Sequence, residues 1–464
     1  MSTIRIIFFF ILSYSSTLYA TPLTLNEVVN SALQAFPGLL ATQQRKGIAA
    51  GELQSAEGAF DTQVKLRSNF SVTGLYENQN LDASFEQPTA LGGTTFFGGW
   101  RRGNGDYPVY EGKSLTATDG EVRVGVNVPL WRNRDIDRRR ASLQQAELSQ
   151  LIANHDYDQA LLEVRRLATH RYWDWVLAGQ RLKLAERLLN IAEQRDQGIR
   201  ERVAAGDLPE FEALDNQRAI IERRERKVAA QRLLEQSAIQ LSLYLRDDNS
   251  QPCLPEPEQL PQDLPRPTLA NELAFEEAVA QALSARPELH RLDIQQKHTQ
   301  TELAFQQNQR APGVDLVIQG AQDLGQNPNK DKLNRDEWYV GLNIDLPLQR
   351  RVATGRSEVA AANVQRLKWE RQLAEDRIAA EVKDVLSALN AAKQRIQLSQ
   401  QQQHAAEKLE QGEHDRFELG DSTLLFVNLR ELAYGDAMIM VAEATTTLFK
   451  AQADYQAILA NALD

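Results

Sequence analysis

Residues 121–130 read EVRVGVNVPL and residues 337–348 read EWYVGLNIDLPL. In the first, Val122, Val124, Val126 and Val128 alternate with Glu121, Arg123, Gly125 and Asn127. In the second, Trp338, Val340, Leu342, Ile344 and Leu346 alternate with Tyr339, Gly341, Asn343 and Asp345. Successive side chains of a β-strand point to opposite faces, so each stretch makes one apolar and one polar face. Working outward, Val64, Leu66, Phe70 and Val72 alternate with Gln63, Lys65, Arg67, Asn69, Ser71 and Thr73. A weaker copy sets Val314, Leu316 and Ile318 against Asp315 and Gln319. The pattern predicts four strands, about 62–76, 120–130, 313–322 and 336–348.

Such a sheet either covers a soluble core or turns its apolar face to lipid. Alternation alone favours the soluble sheet, and the rest of the chain reverses that. The first twenty residues read as an export signal: Arg5, then the apolar run IIFFFIL at 6–12, then small and polar residues to Ala20. Removing 1–20 removes one positive charge, Arg5, and takes the formal charge from −11 to −12. No later stretch approaches the eighteen apolar residues of a membrane-spanning helix, so a membrane location requires a barrel. Four strands cannot close one, since about eight is the practical minimum. The barrel must then be shared between subunits, and the strand count leaves two or three copies open.

The sixteen prolines cluster. None lies between Pro129 and Pro209, or after Pro347, whereas Pro252, Pro255, Pro257, Pro261, Pro265 and Pro267 crowd one stretch. Proline breaks helices. The free spans, rich in Ala, Leu, Gln, Glu and Arg, predict long helices over 133–204 and 353–418. About 70 residues at 1.5 Å each make a helix of roughly 100 Å. Leu161, Val164, Ala168, Tyr172 and Trp175 trace a narrow apolar stripe along the first.

The chain also repeats itself. VVNSALQAFPGLL at 28–40 resembles AVAQALSARPELH at 278–290, VGVNVPL at 124–130 resembles VGLNIDLPL at 340–348, and RVAAGD at 202–207 resembles RFELGD at 416–421. Three matches in one order indicate duplication. The offset shrinks between the first and second match, which places extra residues in the first half, within 77–119. The predicted organisation is a signal peptide 1–20, a first repeat 21–251 with an external loop 77–119, a Pro-rich linker 252–270 and a second repeat 271–464.

Composition excludes several functions. A net charge of −11 argues against nucleic-acid binding. The six histidines are scattered, and HExxH, GxSxG and Cys/His metal spacings are absent from the sequence, so it calls for no enzyme and no cofactor. The glycines of 77–119 fit no GxxxxGK[ST] loop and read as loop flexibility. Cys253 has no cysteine to pair with. An exported structural or adhesive coiled-coil protein without a pore is the alternative from another class.

LTLNEVVNSALQAFPGLL and its copy AFEEAVAQALSARPEL, the strand endings GVNVPLW and GLNIDLPL, and the turns VAAGDLPEFEALDNQRA and FELGDSTLLFVNLREL together resemble the TolC-like outer-membrane factor family, over about 24–461. The resemblance implies a homotrimer: four strands per copy complete a shared β-barrel in outer-membrane lipid, and an α-helical barrel continues through the periplasm. It implies a passive exit duct for small molecules, metal ions or proteins in tripartite efflux or type I secretion. Its partners would be a periplasmic adaptor and an inner-membrane pump. Gly206-Asp207 and Gly420-Asp421 would be the periplasmic tips of two helical hairpins, with glycine in a left-handed C-cap and aspartate capping the next helix. Such tips constrict the pore and contact the adaptor. Glu212 falls where the family carries a gate-linking carboxylate, with Asp215 beside it. The best-known pattern has two acidic residues after the second tip. Here Phe426 and Leu429 stand at about those places, which implies an apolar, Phe-lined constriction with Arg430 available for an ion pair.

Overall fold

A computed structural model describes residues 21–108, 114–247, 249–267, 272–326 and 336–461. The export segment 1–20, linker residues 268–270 and loop residues 327–335 lie outside the described residues. The described residues form two compact units, one within the spans 1–37, 163–273 and 383–457, the other within 38–162, 274–382 and 458–464. The repeats are therefore units of sequence, while each compact unit draws on both of them.

The duplication is visible in local geometry. Helices α1 (Leu25–Ala35) and α5 (Phe275–Ala285) are both 11 residues long, and each is followed by a proline that opens the next helix, α2 (Pro37–Glu57) or α6 (Pro287–Asn308). Proline lacks the N–H that a first helical turn leaves unpaired. At the junctions the Phe36 amide donates to the Ala32 carbonyl and the Arg286 amide to the Ala282 carbonyl. The two proline-free spans become α3 (Arg138–Ala204) and α7 (Arg351–Glu418), of 67 and 68 residues. Their return helices are α4 (Glu210–Ser242) and α8 (Leu424–Ile458).

The first unit has a helical core. Val164, Ala168, Tyr172 and Trp175 of the predicted stripe are buried, and Leu161, in the other unit, is half-buried. Trp173 stacks on Phe449 with centroids 4.3 Å apart. The Pro-rich stretch is docked rather than a free connector. The Leu23 amide donates to the Gln259 carbonyl at 2.9 Å, and Leu260 lies so close over Gly179 that a Cβ there would stand 2.6 Å from its methyl carbons.

The second unit holds one antiparallel sheet whose strands pair in chain order: β1 (Gln63–Ser71), β2 (Asn78–Pro88), β3 (Thr95–Gly105), β4 (Glu121–Pro129), β5 (Gly313–Asp323) and β6 (Glu337–Asp345). The mainly helical fold with a small β portion is as expected, and β1, β4, β5 and β6 fall on the four expected strands. The strand count is corrected from four to six. Residues 78–105 of the expected loop 77–119 fold into the hairpin β2–β3, inserted between β1 and β4. Leu81, Ala83 and Phe85 alternate with Asn80, Asp82, Ser84 and Glu86, so the insertion carries strand patterning. Its glycines are packing positions. Gly98 lies opposite Phe85, and a Cβ there would stand 2.8 Å from the Phe85 ring. A glycine beneath an aromatic ring lets the ring cover its strand.

Candidate functional site

Two regions carry chemistry: the two faces of the sheet, and the turns joining the long helices to their return helices. Register fixes the faces. One row runs Val64, Phe85, Gly98, Val124, Gly320, Trp338 across all six strands. A neighbouring row runs Gln87, Phe96, Val126, Ile318, Val340 from β2 to β6. Val64, Leu66, Phe70, Phe85, Phe96, Val124, Trp338, Val340, Leu342 and Ile344 are exposed. A contiguous apolar surface of this kind marks an interaction with lipid or protein.

The opposite face is charged. One row runs Arg67, Asp82, Arg101, Glu121, Asp323 over five strands. On this face Arg123 pairs with Asp82, Arg101 with Glu121, and Lys65 with Glu86 at 2.7 Å. Beyond one end of the sheet, Arg132 reaches Asp345 at 2.6 Å beside the exposed Trp131, while the exposed Trp338 lies at the other end. Exposed tryptophans at both ends fit the aromatic belts of a membrane sheet. Among the described residues, no helix is long and apolar enough to cross a membrane.

The tips lie in the first unit, and their backbones match. Gly206 has φ +83° and Gly420 has φ +82°. The Asp207 amide donates to the Arg202 carbonyl, and the Asp421 amide to the Arg416 carbonyl, both at 2.9 Å. This is the six-to-one closure of a Schellman motif, whose left-handed position favours glycine. The aspartates do not cap the following helices, which corrects that expectation. The N-cap of α4 is Pro209, without a side-chain bond, and the first turn of α8 closes on the Thr423 carbonyl.

Glu212 is buried near the Leu424 amide at the start of α8, and its Oε2 has no partner. Burial holds this carboxyl above its usual range; the nearby Leu424 amide opposes the shift and Asp215 adds to it. Asp215 accepts from Arg218 Nε at 3.1 Å and from Asn428 Nδ2 at 3.4 Å. Arg430 stands 3.9 Å from Glu413, the outer limit of an ion pair. Phe426 is half exposed, with Leu425 and Leu429 also exposed. Leu424 and Val427, on the other face of α8, are buried against Ile199.

Spacing did not reveal the cluster at the centre of this region. Glu431 and Arg223 are each 2% exposed. Arg223 Nη2 donates to Glu431 Oε2 at 2.6 Å, and Nη1 donates to the Leu188 carbonyl at 2.7 Å. Arg195 Nη2 donates to the same carboxylate oxygen at 2.9 Å, while Arg195 Nε and Nη1 are buried without partners. Asn428 Oδ1 accepts from both arginines, at 3.3 and 3.2 Å. The cluster thus ties α3, α4 and α8 together. A signal exists in hindsight: Leu424, Val427, Asn428 and Glu431 recur at spacings of three and four, with a carboxylate at the end of the stripe.

The chain thus combines an apolar-faced antiparallel sheet with long helical hairpins. The sequence model of the family "Outer membrane efflux protein" matches residues 95–245. No curated protein matches in sequence. Solved structures match nearly the whole chain. The outer-membrane channel OprN aligns with TM-score 0.68 at 16% identity, over 94% of this chain and 89% of its own. The outer membrane protein VceC from Vibrio cholerae aligns with TM-score 0.65 at 16% identity, over 94% and 96%. The open state of the Neisseria gonorrhoeae MtrE outer membrane channel aligns with TM-score 0.65 at 16% identity, over 94% and 88%. At such identities the structural likeness is one of fold. Over residues 95–245 the chain is thus similar to the outer membrane efflux protein family, and its fold is that of these outer-membrane channels. The channels of this group are transport proteins rather than enzymes.

Proposed function

We propose that three copies of this chain form a passive exit duct that receives cargo from an inner-membrane pump through a periplasmic adaptor. Tripartite efflux and type I secretion both use such a duct, and its cargo would be small molecules, metal ions or proteins. The observation that carries the reading is the sheet. It has a largely apolar face, a charged opposite face, and two free edges, β1 and β6, among the described residues. Open edges are not tolerated in lipid, so sister copies must supply the missing partners. The net charge of −11 favours cations in a lumen lined by the polar face. A poreless coiled-coil protein would have no use for exposed Val64, Leu66, Val340 and Leu342.

In this reading the two tips form the periplasmic entrance. Phe426 and Leu429 narrow it, and the Arg195–Arg223–Glu431 cluster holds the return helices in place. The purified protein should require detergent, migrate as a heat-modifiable trimer and conduct ions in a planar bilayer. A monomer soluble without detergent would exclude the reading.

A further inference from the structure

We infer that the hairpin β2–β3 is part of the lipid-facing barrel wall, so that each copy contributes six membrane strands rather than four. This rests on the outer-membrane reading above. The hairpin could instead have crossed the sheet as a cap or hung into a lumen. Its register excludes both for the single copy, because it is hydrogen-bonded between β1 and β4 along its length. The β1–β2 ladder runs from Gln63–Glu86 to Ser71–Asn78, and the β3–β4 ladder from Thr95–Asn127 to Arg101–Glu121. Without it, β1 and β4 would have to pair directly.

The faces agree as well. Leu81 and Phe85 of β2, and Phe96 of β3, lie on the same face as Val64, Leu66, Val124 and Val340. All seven are exposed. On the other face, Asp82 and Glu86 of β2 pair with Arg123 and Lys65 of the flanking strands. The hairpin continues the apolar face at Leu81, Ala83, Phe85, Phe96 and Trp100, with Arg102 and Asn104 at one end, and the charged face at Asp82 and Glu86, as a plug or cap would not. With three copies the wall would hold eighteen strands. Barrel diameter grows roughly in proportion to strand number. The outer lumen would then be about half again as wide as a twelve-strand barrel, within the size range that leaves an open aqueous channel. The β portion would pass bulky cargo without sorting it, leaving selection to the helical tips.

Spin labels read this directly. In a Cys253→Ser background, single cysteines replace Leu81 and Phe85 on the apolar face of β2, and Asn80 and Ser84 on its polar face. Leu66→Cys on β1 and Val340→Cys on β6 serve as references. The full-length protein is reconstituted into phosphatidylcholine vesicles, and collisions with oxygen and with a water-soluble nickel chelate are compared. The expected result is high oxygen and low nickel accessibility at 81 and 85, matching 66 and 340, with the reverse at 80 and 84. If 66 and 340 meet lipid while 81 and 85 are wet or shielded, the hairpin is not in the wall and the inference fails alone. If 66 and 340 do not meet lipid either, the outer-membrane reading fails first and takes the inference with it.

Discussion

The two tips share a backbone and differ in what they present. Both turns close with a left-handed glycine and the same six-to-one bond. After the first turn come Phe211, Glu212 and Asp215; after the second come Leu425, Phe426 and Leu429. Both hairpins leave apolar side chains exposed, Phe211 and Leu214 after the first turn and Leu425, Phe426 and Leu429 after the second, but only the first places a buried acid, Glu212, beside the start of α8. Duplication kept what the chain needs to turn back on itself and released the side chains. What distinguishes the first is the buried acid it adds.

Breaking the Arg195–Arg223–Glu431 cluster should have the largest effect. Arg223→Ala leaves Glu431 buried with only Arg195 on its carboxylate, and breaking such a pair costs about 3–5 kcal/mol. Amide exchange in 188–223 and 424–431 should rise by about a hundredfold or more. If exchange is unchanged, the cluster does not hold the hairpins.

The shared backbone gives the next effect. A Cβ on Gly206 or Gly420 would meet nothing within 4 Å, so the cost of alanine is conformational alone. It should be about 1–2 kcal/mol and equal at both tips, read as equal falls in thermal midpoint. A marked inequality would mean that the turns are not equivalent.

Glu212 should give a smaller, pH-dependent effect at one tip only. Its native carboxyl binds a proton more tightly than the unfolded chain, whose value lies at about 4.3. The stabilisation from protonation is therefore present below that value and is lost as pH rises through the higher native one. Corrected amide exchange at the tip should increase with pH over that window, and Glu212→Gln should flatten the dependence. Smallest of all, Asp207→Ala and Asp421→Ala should each change stability by less than about 0.5 kcal/mol, because neither side chain caps a helix. A larger loss would restore the capping role.

How much of this was legible follows from what repeats. Proline spacing marked α3 and α7 to within a few residues because proline is excluded from helix interiors. Alternation marked β1, β4, β5 and β6, and the duplicated Gly-Asp pairs marked both turns. The inserted hairpin was hidden by its own glycines: Gly98 and Gly99 look like loop residues until Phe85 is seen lying over Gly98. The shrinking repeat offset did point to the right stretch. The stripe that ends in Glu431 was legible, but its partners Arg195 and Arg223 were not, because they lie on two other helices and each resembles a solvated surface charge in sequence. Only the packing of α3, α4 and α8 makes them one group.

Single-channel conductance of the full-length protein in a planar bilayer, beside Phe426→Ala, tests the account most directly. We expect discrete cation-preferring steps from the native protein and larger steps from Phe426→Ala. Native protein that conducts nothing would contradict the exit duct, and unchanged steps in Phe426→Ala would contradict the apolar constriction at its second tip.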